Sequence, residues 1–174
     1  IAYTMADDQG NVSNAATVTV TFYTPPPVAN DDTSLDNLVG SVVTVTVLTN
    51  DMASLYRTLD PASVQISGTA NSGGNLVVMG QGIWSVYTAT GAITFTPEVG
   101  FDGDPTPIAY TVADDWGGVS NAAMVTVTFY TPPPVANDDE STGNLVGSVV
   151  TVTVLANDVA SLYRTLDPAS VQIT

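Results

Sequence analysis

An all-β protein, an antiparallel immunoglobulin-like β-sandwich in tandem repeats of 107 residues, is predicted by three features of this sequence. Val and Thr alternate with a period of two over several short stretches, Gly, Pro, Asn and Asp clusters separate those stretches, and the whole pattern occurs more than once. In 17–23, Val18, Val20 and Phe22 fall on one face and the threonines on the other, and 126–130 repeats the arrangement. A first strand leads from segment 29–32 towards a turn near Gly40, and 43–48 alternates as the next. Shorter strands fit 63–66, 75–79 and 108–113. The stretches 84–88 and 92–96, joined by Ala89-Thr90-Gly91, read as a hairpin. β-branched residues suit a pleated, half-buried surface, and no 11-residue window shows a helical period. About seven or eight strands per repeat, without strand–helix alternation, is the pattern of a sandwich.

The repeat is nearly exact. Residues 1–67 align with 108–174 at an offset of 107 without a gap, and 57 of 67 positions are identical. Ile1-Ala2-Tyr3-Thr4 returns as Ile108-Ala109-Tyr110-Thr111, and Leu55-Tyr56-Arg57 returns as Leu162-Tyr163-Arg164. The triplet Pro25-Pro26-Pro27, with its copy Pro132-Pro133-Pro134, marks the boundary, because Pro cannot continue a sheet ladder and stiffens a linker. On that phase 25–131 is one complete repeat. Residues 1–24 are the C-terminal strands of a preceding repeat and 132–174 the N-terminal strands of a following one. Neither flank carries enough apolar residues for a full core, so each is expected to be disordered or completed by a neighbouring copy.

Composition narrows the function. Seventeen Asp and Glu against two Arg give a net charge of −15, yet 44% of the residues are hydrophobic, which separates this chain from an acidic disordered tail. The absence of His and Cys removes the commonest general base, the usual zinc ligands and any disulfide. So little positive charge leaves nothing to neutralise a nucleic-acid backbone, and an anionic membrane surface repels such a chain. No apolar run reaches the length of a membrane-spanning helix. No enzyme is expected: paired carboxylates such as Asp102 and Asp104 would need a cleft lined with sugar-stacking aromatics, and the chain has two Trp, Trp84 in an alternating strand and Trp116 in a turn. No small-molecule substrate is expected either.

Laid on a sandwich whose chain reverses at each connection, segment 29–32, loop 49–62 and loop 113–118 share one end, here the top. The turn near Gly40 and loop 97–107 share the bottom. Almost all carboxylates of the repeat then lie in end loops. Two carboxylates about 4 Å apart repel by roughly 4 kcal/mol at an effective dielectric near 20, and a hard divalent cation relieves that cost. Calcium takes six to eight oxygens from Asp, Glu, Asn and backbone carbonyls. Candidate Ca²⁺ ligands are Asn30, Asp31, Asp32, Asn50, Asp51, Asp114 and Asp115 at the top of the repeat. At the junction with the next unit they are Glu98, Asp102 and Asp104 from loop 97–107, facing Asn137, Asp138, Asp139, Asn157 and Asp158. Arg57 and Arg164 are expected to pair with a nearby Asp or to cap the acidic cluster. The plainer reading of the acidic loops is solubility.

The order PPPVANDD, VTVLTND, AITFTPEVGFDGD and IAYTVADDWGGVSNAAMVTVTF resembles the bacterial immunoglobulin-like, cadherin-like repeats of giant surface adhesins, including repeats-in-toxin adhesins. The resemblance spans the 107-residue unit. It implies an extracellular, cell-surface extender: many copies in series, stiffened by calcium, projecting a distal binding domain. By position Asn30, Asp31 and Asp32 match that family's lead-in motif, Asn50 and Asp51 its second-strand motif, and Asp114 and Asp115 its late acidic turn. The stretch Ala53-Ser54-Leu55-Tyr56-Arg57 departs from the Asp/Gly-rich turn often found there, which leaves Asp60 outside the expected ligand set. The partners implied are neighbouring identical repeats of the same chain. The rival reading is an adhesive module that itself binds a carbohydrate or protein through its loops or sheet faces.

Overall fold

The computed structural model describes residues 1–173. Its strands are β1 (Ala2–Tyr3), β2 (Ala16–Thr17), β3 (Asp32–Leu38), β4 (Val43–Val45), β5 (Leu59–Ile66), β6 (Leu76–Val78), β7 (Gly82–Tyr87), β8 (Ala92–Pro97), β9 (Ile108–Asp114) and β10 (Ala123–Tyr130). Two four-stranded sheets, β3-β10-β9-β5 and β4-β8-β7-β6, pack face to face as an immunoglobulin-like sandwich. The inward residues are those the alternation predicts: Ile108, Tyr110 and Val112 of β9, Val125 and Val127 of β10, and Ile93 and Phe95 of β8. Trp84 is wholly buried against Phe95, with ring centroids 4.8 Å apart, and Phe101 and Phe129 close around Phe95 at 6.1 Å each.

One pairing is parallel. β3 lies beside β10 in the same direction, with Asp32 opposite Val125 and Leu38 opposite Tyr130. All other strand pairs are antiparallel. The first and last strands of the repeat therefore run side by side, and the chain enters at one end and leaves at the other.

The structure corrects the sequence reading in four places. The stretch 43–48 is a strand only to Val45, after which Val47–Thr49 forms a single 3-10 turn that drops Val47 into the core. β3 takes in Asp32, which alternation alone leaves in a loop. The connection from β5 to β6 does not reverse direction but crosses between the sheets, and β5 itself bulges between Asp60 and Gln65. The alternating stretch 17–23 pairs only at Ala16 and Thr17. Its copy in β10 is held between β3 and β9. Phe22 has neither neighbour and is 95% exposed, whereas Phe129 packs on the core.

The same contrast holds for 132–173. Its one bridge, Val135 to Val159, repeats the bridge of Val28 to Met52, yet Val149, Val152 and Val154 stay exposed. Alternation supplies a face, and only a facing sheet makes it a core. Phe129 is partly buried, so Phe129→Ala is expected to lower the stability of the 25–131 unit by about 2–3 kcal/mol, below the range for a fully buried Phe. Phe22→Ala, the same change at the matching position, is expected to leave the thermal unfolding midpoint unmoved.

Candidate functional site

The top of the sandwich is organised by one phenol. Tyr110 is fully buried, and its hydroxyl lies 3.0 Å from Asp32 Oδ2, 2.9 Å from Asp51 Oδ2, and 3.2 Å from the carbonyls of both Asn30 and Val47. β9 aims the ring there because Tyr110 falls on its inward side, and the 3-10 turn after β4 brings the Val47 carbonyl and Asp51 to meet it. A hydroxyl has one proton to donate, so four acceptors compete for it. Burial, more than the neighbouring carboxylate of Asp51, pushes Asp32 up to about 6. Burial also raises Asp51, opposed by the bond from the Asn30 N–H, and burial with the two carboxylates raises Tyr110 well above the usual phenol range.

Around this centre the lead-in segment is tied down by polar side chains. Asn121 grips the backbone of Ala29 on both sides: its Oδ1 accepts from the Ala29 N–H at 3.1 Å and its amide donates to the Ala29 carbonyl at 2.8 Å. Asp51 accepts from the Asn30 N–H, Asn30 donates to the Asn50 carbonyl, and Asn50 donates to the Asp31 carbonyl. The carboxylate of Asp31 turns to the opposite side from Asp32 and accepts from the Met124 N–H at 2.7 Å. Asp114, buried, accepts from the Trp116 and Gly118 N–H groups and holds its own hairpin turn. These bonds, led by one from Ser54, keep its carboxyl below the usual range. Asp115 accepts weakly from the Thr58 N–H at 3.4 Å. The Asp60 carboxylate accepts from the Ala62 N–H within its own turn, and its carbonyl from the Ser63 hydroxyl.

At the bottom, Asp104 accepts from the Phe129 N–H at 2.7 Å, Asp102 forms an ion pair with Arg164, and the Glu98 side chain is exposed. In the following unit the lead-in lock forms again: the Asn137 N–H donates to Asp158, the Asn137 amide to the Asn157 carbonyl, and the Asn157 amide to the Asp138 carbonyl. Asp139, the counterpart of Asp32, is exposed, since this chain holds no Tyr110 counterpart for it. Among the described residues no group of three or more acidic side chains is placed to share a metal. The top instead joins two carboxylates, one phenol and two carbonyls.

The two arginines are used differently. Arg57 sits over Trp116, its guanidinium carbon 3.2 Å from the ring centroid, beside the incoming linker at Thr24, Pro25 and Pro26. Trp116 is thus a stacking partner rather than a free surface residue.

A family model for the surface adhesin CshA repetitive domain matches residues 24–129, which takes in both sheets and the Tyr110 cluster. The chain belongs to this family. It is a repeat of a surface adhesin, and a cell-surface setting follows from that membership. Searches of curated proteins and of solved structures gave no significant match. No helix among the described residues is long and apolar enough to cross a membrane.

Tyr110 and Asn121 are the residues that sequence reasoning missed. The available signal was a lone Tyr between Ile108 and Val112 at an inward position of β9, where a buried hydroxyl demands a partner. Tyr110→Phe is expected to cost about 1–3 kcal/mol, because the acceptors lose their only buried donor. Asp32 gives a signed pH dependence. Its folded value near 6 lies above the ordinary carboxylate value, so its contribution is full below about pH 4 and lost as pH rises through 6. In chelator, Asp32→Asn is therefore expected to flatten the decline in melting temperature between about pH 4 and pH 7.

Proposed function

We propose that this chain is a spacer segment of the adhesin: a run of end-to-end sandwiches, stabilised by calcium, that holds a distal binding domain away from the cell. The observation that carries the reading is the parallel pairing of β3 with β10. It sends consecutive copies out along one axis, since each begins at the end opposite to the one where it finishes. A strand of about eight residues spans roughly 26 Å, so tandem copies gain length rapidly. Membership in an adhesin repeat family and the near-identity of the copies support the same reading.

Calcium belongs to the proposal through the chemistry of the donors. Asp32, Asp51 and the carbonyls of Asn30 and Val47 are hard oxygens converging on one half-buried spot, with more acceptors than protons. Bound there, the ion would neutralise the two carboxylates and fasten the lead-in to the β4 turn. On this reading the kinship is with the calcium-loaded, repeats-in-toxin type of extender, and the setting is extracellular adhesion and biofilm growth. The junction set is the second place proposed for the ion, where binding would require Asp102 to exchange Arg164 for it.

A second reading has its own observation. Most of the acidic groups already have protein donors: Asp31 on Met124, Asp104 on Phe129, Asp114 on two turn amides, Asp102 on Arg164. A repeat braced by such bonds needs no ion, and the unused carboxylates then serve solubility. The adhesive-module alternative finds less support, because the acidic loops lie at the two ends, where neighbouring repeats sit.

Calcium titration by calorimetry, with thermal unfolding in calcium and in chelator, separates the readings. The expected result is saturable binding and a stabilisation of about 2.7 kcal/mol at a hundredfold excess over the dissociation constant. Asp51→Ala is expected to abolish it. Equal melting temperatures in calcium and chelator would leave the metal-free brace standing.

A further inference from the structure

The chain carries one contact between consecutive units that the acidic-loop reading does not anticipate. In the following unit the loop Leu162-Tyr163-Arg164 sits on the bottom of the complete repeat. Arg164 forms its ion pair with Asp102 there. Gly40, at the bottom turn between β3 and β4, faces the same loop: a Cβ added to it would lie 2.8 Å from Tyr163 Oη and 3.2 Å from Leu162 Cδ2. Gly40 has φ +79°, so the turn itself favours glycine, and the bare Cα is what lets the tyrosine approach.

The complete repeat bears the same loop at its own top, as Leu55-Tyr56-Arg57. Both copies have one backbone shape. Tyr56 and Tyr163 are left-handed, at φ 61° and 60°, and the Arg57 and Arg164 N–H groups each close a 3.0 Å bond to Ser54 and Ser161. The shape survives in the following unit, which forms no sheet among its described residues, so the finger is preformed and does not depend on a finished core. Exposure differs between the copies. Tyr56 is 91% exposed against 42% for Tyr163. Residues 1–24 correspond to 108–131 and hold no counterpart of Gly40 or Asp102 to cover it. Gly147, the counterpart of Gly40 in the last unit, likewise has nothing within 4 Å.

We infer that Leu55-Tyr56-Arg57 is a docking finger whose partner is the bottom of the preceding repeat, seated on its Gly40 turn and paired with its Asp102 as Leu162-Tyr163-Arg164 is here. The inference deepens the spacer reading and rests on it. Arg57 sits over the Trp116 ring, and among the described residues its guanidinium makes no hydrogen bond or ion pair, which leaves its N–H groups open to that carboxylate. The incoming linker at Thr24, Pro25 and Pro26 runs beside Arg57, so the preceding repeat arrives at this end. Each repeat then contributes its one cation to the repeat before it, across a junction otherwise lined with negative charge.

The chain has no cysteine, which makes cysteine trapping clean. In the 174-residue chain, Asp102→Cys with Arg164→Cys is expected to give an intramolecular disulfide under mild oxidation, and Asp102→Cys with Arg57→Cys none. Without cross-linking, Tyr163→Ala and Arg164→Ala are each expected to speed amide exchange at Ser41 roughly threefold to fivefold, and Tyr56→Ala to leave it unchanged. Equal trapping of both cysteine pairs, or exchange at Ser41 indifferent to Tyr163 and Arg164, would overturn the finger. Both readouts are local and are made in chelator, so the finger can fail while an array remains extended. Conversely, a docked finger in a compact, coiled array would remove the spacer reading and leave the contact.

Discussion

Everything else in this repeat depends on the first strand lying parallel to the last. β3 and β10 are far apart in sequence, and their pairing places the chain's way in and its way out at opposite ends. Holding them together costs loop-closure entropy that local contacts do not repay. The repayment comes from the top: Asn121 gripping Ala29, Asp31 on the Met124 amide, and Tyr110 receiving Asp32 and Asp51. Polar groups thus close a sandwich whose interior is almost wholly Val, Ile and aromatic.

The electrostatics have a direction as well. Apart from Asp36 within β3, the repeat carries its charge in the end loops and at the ends of its strands, where consecutive units meet. With like charges on both sides a junction would open, unless each side supplies donors. Backbone amides serve Asp31, Asp104 and Asp114, one phenol serves Asp32 and Asp51, and a single Arg crosses from the next unit to Asp102. The acidic ends therefore act as acceptor surfaces, and at Asp102 the Arg164 guanidinium completes one of them.

Strand identity was legible wherever alternation met a buried face. The hairpin β7–β8 and the strand β9 follow from period two and the turn residues between the strands. Three things were not legible, for separate reasons. Alternation in 17–23 and 149–155 marks a capacity to pair, and pairing needs partners that these flanks lack. The 3-10 turn at Val47–Thr49 is indistinguishable from strand by pattern, because Val47 is buried either way. The role of Tyr110 depends on which oxygens the topology brings to its hydroxyl, and those come from segments 59 to 80 residues away in sequence. The acidic motifs were visible as motifs, while their division between turn caps, lead-in clamps and the buried pair depends on contacts that only the folded chain brings together.

The central claim is that the parallel first and last strands make each copy add length along one axis. Small-angle scattering on arrays of one, two and three repeats tests it most directly. The account requires the maximum dimension to grow by about 35 Å per added repeat, which is one strand length plus a short proline linker. Growth much smaller than one strand length per repeat, with a radius of gyration following that of a compact globule, would contradict it.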